Sequence, residues 1–322
     1  MRITGLRNTG MRNTGMRLGW ALLLVLAATP LLLPSNALLN FGVGVLIAAL
    51  AAQGWNIIGG LGGQLSFGHA AFYGTGAYCA ALLQLRFGWN AFAAAGAGVV
   101  AGATLGAAVG AVVFRAGLRG SYFALVTLAI AEVLRILANA APATGGAAGL
   151  LLPLDARPVN FQFASRAAFY AVALACVGVA LAITAWIMRT RFGAQLAAVR
   201  ENEDAARALG IDAFGIKVRA MTVSAGITAA AGVLYLQYYL YIDSAIAYGT
   251  SVSVSALLAP VIGGIGTVLG PVLGAVALEG LGTLTRLVAG SRAGVDQVLF
   301  GVLLIAAIAF VPGGLVGRRG RP

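Results

Sequence analysis

The sequence predicts an all-α, polytopic membrane protein of about ten transmembrane spans. Composition and run length carry that prediction. Of the 322 residues 60% are hydrophobic and only 9% charged, against about 25% charged in soluble domains, and the mean hydropathy is +0.94. Apolar runs long enough for a helix to cross a bilayer recur along nearly the whole chain, which makes it one continuous membrane domain.

The chain opens on MRITGLRNTGMRNTGMR, a five-residue unit that keeps Arg2, Arg7, Arg12 and Arg17 in register. Residues 1–17 read as a disordered basic tail. With the apolar run behind it the tail imitates a secretory signal, with small residues near Ala37. Because further spans follow, the reading adopted is a retained first helix, with residues 18–312 as the transmembrane domain.

Apolar runs at 18–34, 38–58, 66–85, 91–114, 120–141, 167–188, 218–242, 251–262, 270–289 and 296–312 make ten crossings the simplest count. With the tail in the cytoplasm, alternation places Arg115 and Arg119 inside, then the group from Arg189 to Arg219, and lastly Arg318, Arg319 and Arg321 in a basic tail, 313–322. Positive charge gathers on the cytoplasmic side of membrane proteins, so an even count suits the charges. Both termini are expected in the cytoplasm, and residues 142–166 outside. The net charge of +12 thus reports topology, and no nucleic-acid partner is implied.

Gly98, Gly102, Gly106 and Gly110 recur at a four-residue period, which lines small residues along one helix face so that a neighbouring backbone can approach closely. Gly266, Gly270 and Gly274 repeat that spacing. Broken helices are expected near 59–68 and 259–271, where GGLGGQLSFGHAAFYGTG and APVIGGIGTVLGPVLG interrupt apolar runs with glycine clusters and Pro260 or Pro271. Irregular backbone at membrane depth survives where it lines a cavity or is buried in protein, and paired interruptions point to a transport path. Loops at the membrane surface explain the same glycines.

Few groups can carry chemistry. His69 is the only histidine, and no carboxylate or cysteine cluster joins it, so no metal site and no catalytic constellation is expected. Cys79 and Cys176 sit in apolar runs as small hydrophobes. Polarity at the helix interruptions nominates Gln64, Ser66, His69, Tyr73 and Thr267 as lining a path. Glu132 and Arg135 lie one turn apart within a span and neutralise one another, as a structural pair or as part of a relay; Glu279 is a second carboxylate within a span. No phosphate-binding G-x-x-x-x-G-K-[ST] run is present, so if ATP drives the protein another subunit binds it.

The remaining charged stretch is VRENEDAARALGID, within the cytoplasmic loop 189–217. Glu201, Glu203 and Asp204 precede the helix-forming AARAL and Arg207 follows, the order the helix dipole favours, while Gly210 is placed to end the helix. A short amphipathic helix parallel to the membrane is expected.

DAARALG, Asp204 to Gly210, resembles the E-A-A-x-x-x-G loop of ABC importer permeases, with Asp204 where Glu is usual. The longer stretch LAAVRENEDAARALGIDAFGIKVRAMTVSAGITAAAGVLY, together with GGQLSFGHAAFYGTGAY, TGGAAGL and GGIGTVLGPVLGA, resembles the LivM-type permeases of branched-chain amino acid importers. The resemblance covers about residues 18 to 312. It implies a heteromeric importer in a bacterial inner membrane: this chain, a paralogous permease, two cytoplasmic ATPase subunits holding ATP and Mg, and a periplasmic or lipid-anchored substrate-binding protein. No cofactor is expected in the chain itself. Glu201, Glu203, Asp204, Ala205, Ala206, Arg207 and Gly210 would form the element that couples to the ATPases. Permeases for urea and short amides share the histidine-containing signature, so that substrate class stays open, as does a stand-alone ion-coupled transporter built on Glu132, Glu279 and His69.

Overall fold

A computed structural model describes residues 35–155, 157–289, 298, 301–302 and 314–316. The tail at 1–17 and the span at 18–34 lie outside the described residues, as do most of the span at 296–312 and most of the tail at 313–322.

Long helices account for the fold: α1 (Asn36–Trp55), α2 (His69–Phe87), α3 (Ala91–Arg115), α4 (Gly120–Ala140) and α5 (Arg166–Ile187) are followed by two short helices, α6 (Arg191–Glu201) and α7 (Glu203–Ala208). Then come α8 (Ala213–Tyr239), α9 (Ser244–Tyr248), α10 (Thr250–Gly263) and α11 (Gly270–Ala289). The one sheet among the described residues pairs β1 (Leu150–Leu151) with β2 (Tyr241–Ile242), antiparallel, with Leu150 opposite Ile242. Seven helical stretches among the described residues are long and apolar enough to cross a membrane. The protein is a polytopic, all-α membrane protein.

Two expected spans differ from the observed helices. The run at 66–85 becomes α2, which is not among the seven. It carries His69, Tyr73, Thr75, Tyr78 and Gln84, and nearly every residue from His69 to Ala81 is buried among α3, α8 and α9, so it needs no apolar coat against lipid. The span expected at 218–242 begins five residues earlier, because Asp212 caps α8 by accepting the Gly215 N–H at 3.0 Å, the usual service of an N-terminal aspartate.

Helix α8 is the axis of the bundle, with 78% of the residues in its most apolar 18-residue stretch buried, against 22% for α4 at the rim. The glycine seam of α3 explains how α8 is enclosed. A Cβ placed on Gly102 would stand 2.3 Å from the Ala229 Cβ, and one on Gly106 2.2 Å from the Ala225 Cβ. Gly98 presses the Gly76 carbonyl of α2, and Gly110 meets Met221. Helix backbones this close gain dispersion contacts that larger side chains would exclude. The second spacing works between α10 and α11, where Gly270 and Gly274 abut the Gly264 and Ala259 carbonyls. Gly266 takes no part in that seam and sits in the break itself at φ +70°.

Candidate functional site

Both expected helix breaks are present, and they touch. After Trp55 the first helix widens into a π-helical turn, Asn56–Leu61, before the chain runs irregularly to Gly68; π turns leave room for groups that an α-helix would fill. The Trp55 indole N–H donates to the Ser66 carbonyl at 2.8 Å, and its ring lies where a Cβ on Gly59 would be. The second break, between Gly263 and Gly270, starts three residues after Pro260, which stays inside α10.

Asn56 joins the two. Its side-chain amide donates to the Thr267 carbonyl at 2.9 Å and accepts the Gly266 N–H at 2.8 Å. Gln53, one turn earlier, donates to the Val268 carbonyl at 3.1 Å and to the Thr184 hydroxyl of α5 at 3.0 Å. Gly60 lets the segments meet, since a Cβ there would stand 2.7 Å from the Gly266 nitrogen.

The charged loop lies over this junction. Leu196 of α6 is fully buried and packs on Gly62, while Arg200 donates to the Gly60 carbonyl at 3.3 Å and lies against Gly63. The expected single helix is two, parted at Asn202, whose side chain accepts the Asp204 and Ala205 N–H groups at 3.1 and 3.0 Å. An asparagine is an excellent N-cap and ends the preceding helix at Glu201. Gly210 closes α7 at φ +81°, with its own N–H on the Arg207 carbonyl and the Ile211 N–H on the Ala206 carbonyl, the geometry of a left-handed C-terminal cap.

The expected coupling residues divide by face. Glu201, Asp204, Ala205, Arg207 and Gly210 are exposed, and with them Leu209, 82% exposed. Glu203 and Ala206 turn inward. A cleft of about 220 Å³ beside this face is lined by Gln195, Gly210, Asp212, Ile216 and Arg219.

The expected path residues also divide. Gln64 and Thr267 are half-buried at the two breaks, and Thr267 accepts the Gly270 N–H at 2.9 Å, capping α11. Ser66 and His69 are fully enclosed. Ser224 of α8 donates its hydroxyl to the Gly54 carbonyl at 2.6 Å, so it accepts from His69 Nε2 at 2.9 Å. His69 therefore carries its proton on Nε2, and its Nδ1 has no hydrogen-bond partner among the described residues. Tyr73, one turn on, is buried against Tyr235. Glu132 and Arg135 pair through two bonds of 2.9 and 2.6 Å with both side chains partly exposed on α4, and Glu279 is half-buried on α11. Sequence reasoning overlooked Asn56, Asn202 and Ser224. Asn56 had a legible signal, an amide three residues after Gln53 deep within an apolar run, and Asn202 preceded acidic residues as an N-cap does.

A family model described as the branched-chain amino acid transport system / permease component matches residues 18–308. The chain belongs to this permease family. The permease is 29% identical to the high-affinity branched-chain amino acid transport system permease protein LivM of Escherichia coli, over 91% of its own length and 73% of that protein. It is also 29% identical to the E. coli permease protein LivH and 27% identical to BraD of Pseudomonas aeruginosa, each alignment covering 84% of this permease and 91% of the relative. No solved structure matches the permease significantly.

Proposed function

We propose that the chain is the membrane-spanning subunit of an ATP-driven importer for branched-chain or other hydrophobic amino acids. It sits in a bacterial cytoplasmic membrane, with both termini and the α6–α7 loop on the cytoplasmic face. Two ATPase subunits dock there and hold ATP and Mg, and the chain itself is not an enzyme. A periplasmic or lipid-anchored binding protein delivers the substrate to the opposite face, and the path runs between this chain and a paralogous permease. Family membership and the Arg distribution support the reading, as do relatives named LivM and LivH.

The observation that carries it is the outward face of the loop, Asp204 and Ala205 of α7 with Leu209 and Gly210 behind them, next to α6, whose Leu196 and Arg200 rest on the first of two joined helix breaks. Pushing on that face displaces backbone at the point where two spans are interrupted, and interfaces of this kind switch between discrete arrangements. Gln64 and Thr267 stand at the path's inner end, with Ser66, His69 and Tyr73 behind them. The rim helix α4 supports a protein neighbour: Tyr122, Leu125, Val133 and Ile136 are exposed along one stripe that also holds the Glu132–Arg135 pair, and charges at membrane depth face protein rather than lipid tails.

The test is ATP-driven leucine uptake by the complete complex in liposomes, with Asp204→Lys and Gly210→Arg. Loss of uptake with the permease still present in the membrane is expected. Parental uptake in both variants would refute the docking assignment, and uptake on an ion gradient without ATPase subunits would replace the reading with a secondary transporter.

A further inference from the structure

Glu203 stands in the middle of the exposed loop motif, yet its side chain is 8% exposed. Three cations surround it: Lys217 Nζ at 2.9 Å and Arg207 Nη2 at 2.6 Å reach Oε1, and Arg119 Nε at 3.3 Å reaches Oε2. Lys217 is almost sealed, its side chain 2% exposed, with its ammonium 4.9 Å from the centre of the Phe114 ring. The cluster draws on four places in the chain: α7, the connection between α3 and α4, the end of α3, and the second turn of α8. An ammonium buried this deeply needs an anionic partner, because an unpaired charge there costs several kcal/mol. Among the described residues, Glu203 is the carboxylate bonded to it.

We propose that Glu203 is a positioning residue that transmits movement of the docking helix to the membrane helices and does not itself touch an ATPase. Its carboxylate fastens α7 to α8 through Lys217 and to the α3–α4 connection through Arg119. Helix α8 packs along α1, α2 and α3, so a displacement entering at Lys217 reaches most of the bundle. The adjacent Asp204 has the opposite office: its side chain is 77% exposed, with Arg119 at 3.5 Å, and it is free to meet a partner. Two neighbouring acids thereby divide the work, one gripping the membrane domain and the other facing outward. The inference rests on reading α7 as the docking helix.

The experiment uses the full importer complex in liposomes and two readouts, ATPase subunits retained on purification and substrate transported per ATP hydrolysed. Glu203→Gln alone strands Lys217 and can lower the amount of folded permease. Glu203→Gln with Lys217→Met removes both charges together and keeps the test valid. For that double variant we expect ATPase retention within about twofold of the parent and a fall of about tenfold in transport per ATP, a coupling loss of ordinary size. Glu203→Asp is expected to recover part of the ratio, whereas Asp204→Lys is expected to lose ATPase retention. A parental transport ratio in the double variant would reduce Glu203 to a structural anchor and overturn the proposal. Loss of ATPase retention in the double variant equal to that in Asp204→Lys would make Glu203 a docking contact, which also overturns it. Full retention and full transport in Asp204→Lys would sink the docking reading itself, and the proposal with it.

Discussion

Asn56 illustrates what a single side chain does in a medium without water. Its amide satisfies one backbone carbonyl and one N–H of the opposite break, groups that no helix ladder serves and that are expensive to leave unpaired in the membrane. Asn56→Leu keeps the branched shape of the side chain and removes both bonds, so we expect a loss of about 2 kcal/mol, read as a lower unfolding midpoint in detergent. Hydrogen exchange at Gly266 should rise in the same variant; an unchanged midpoint and unchanged exchange would show that the breaks hold together without it. His69 teaches a complementary lesson. Its polarity at a helix interruption was legible in sequence, but its partner Ser224 lies 155 residues away, and only packing brought the two together. Glu203 and Asp204 are adjacent on one helix, about 100° apart, so they present different faces, and Glu203 is the one that turns inward. Which one did so depends on where Lys217 stands, and local sequence does not contain that.

At the scale of elements, the glycine period of α3 was readable because a four-residue repeat keeps one face small. The sequence could not name the neighbour, which proved to be α8 with Ala225 and Ala229 at the crossing. Gly106→Leu would drive a side chain into Ala225, where a Cβ has only 2.2 Å; overpacking of this kind costs about 3 kcal/mol, and membrane-inserted folded protein should fall markedly. Gly96 on the same helix meets nothing within 4 Å. Gly96→Ala should therefore be neutral or stabilise by about 0.5–1 kcal/mol, and both variants are compared by thermal unfolding in one detergent. Equal behaviour of the two would remove the seam from the account of α3–α8 packing. The loop helix shows the limit of reading elements from composition: one helix was expected where Asn202 makes two.

For the whole molecule, the charge distribution sets an orientation that labelling can examine. Leu154, 79% exposed, and Leu209, 82% exposed, lie at opposite ends of α5 in the chain order. With Cys79 and Cys176 replaced by alanine, Leu154→Cys should react with a membrane-impermeant maleimide only from outside the cell, and Leu209→Cys only in inverted vesicles. Both labelling from one side would mean that α5 does not cross, and the reverse assignment would invert the topology.

The sequence by itself determined that the chain spans a membrane many times, where its helices are interrupted, and which loop carries the charged helical motif. Those properties follow from local composition and period, which the bilayer reads directly. The tertiary structure alone decided that the two interruptions touch, that α2 hides its polar residues behind α3 and α8, and that Glu203 turns inward while Asp204 turns out. Each of these depends on contacts between segments far apart in the chain, and pairing of that kind is settled when helices pack against one another.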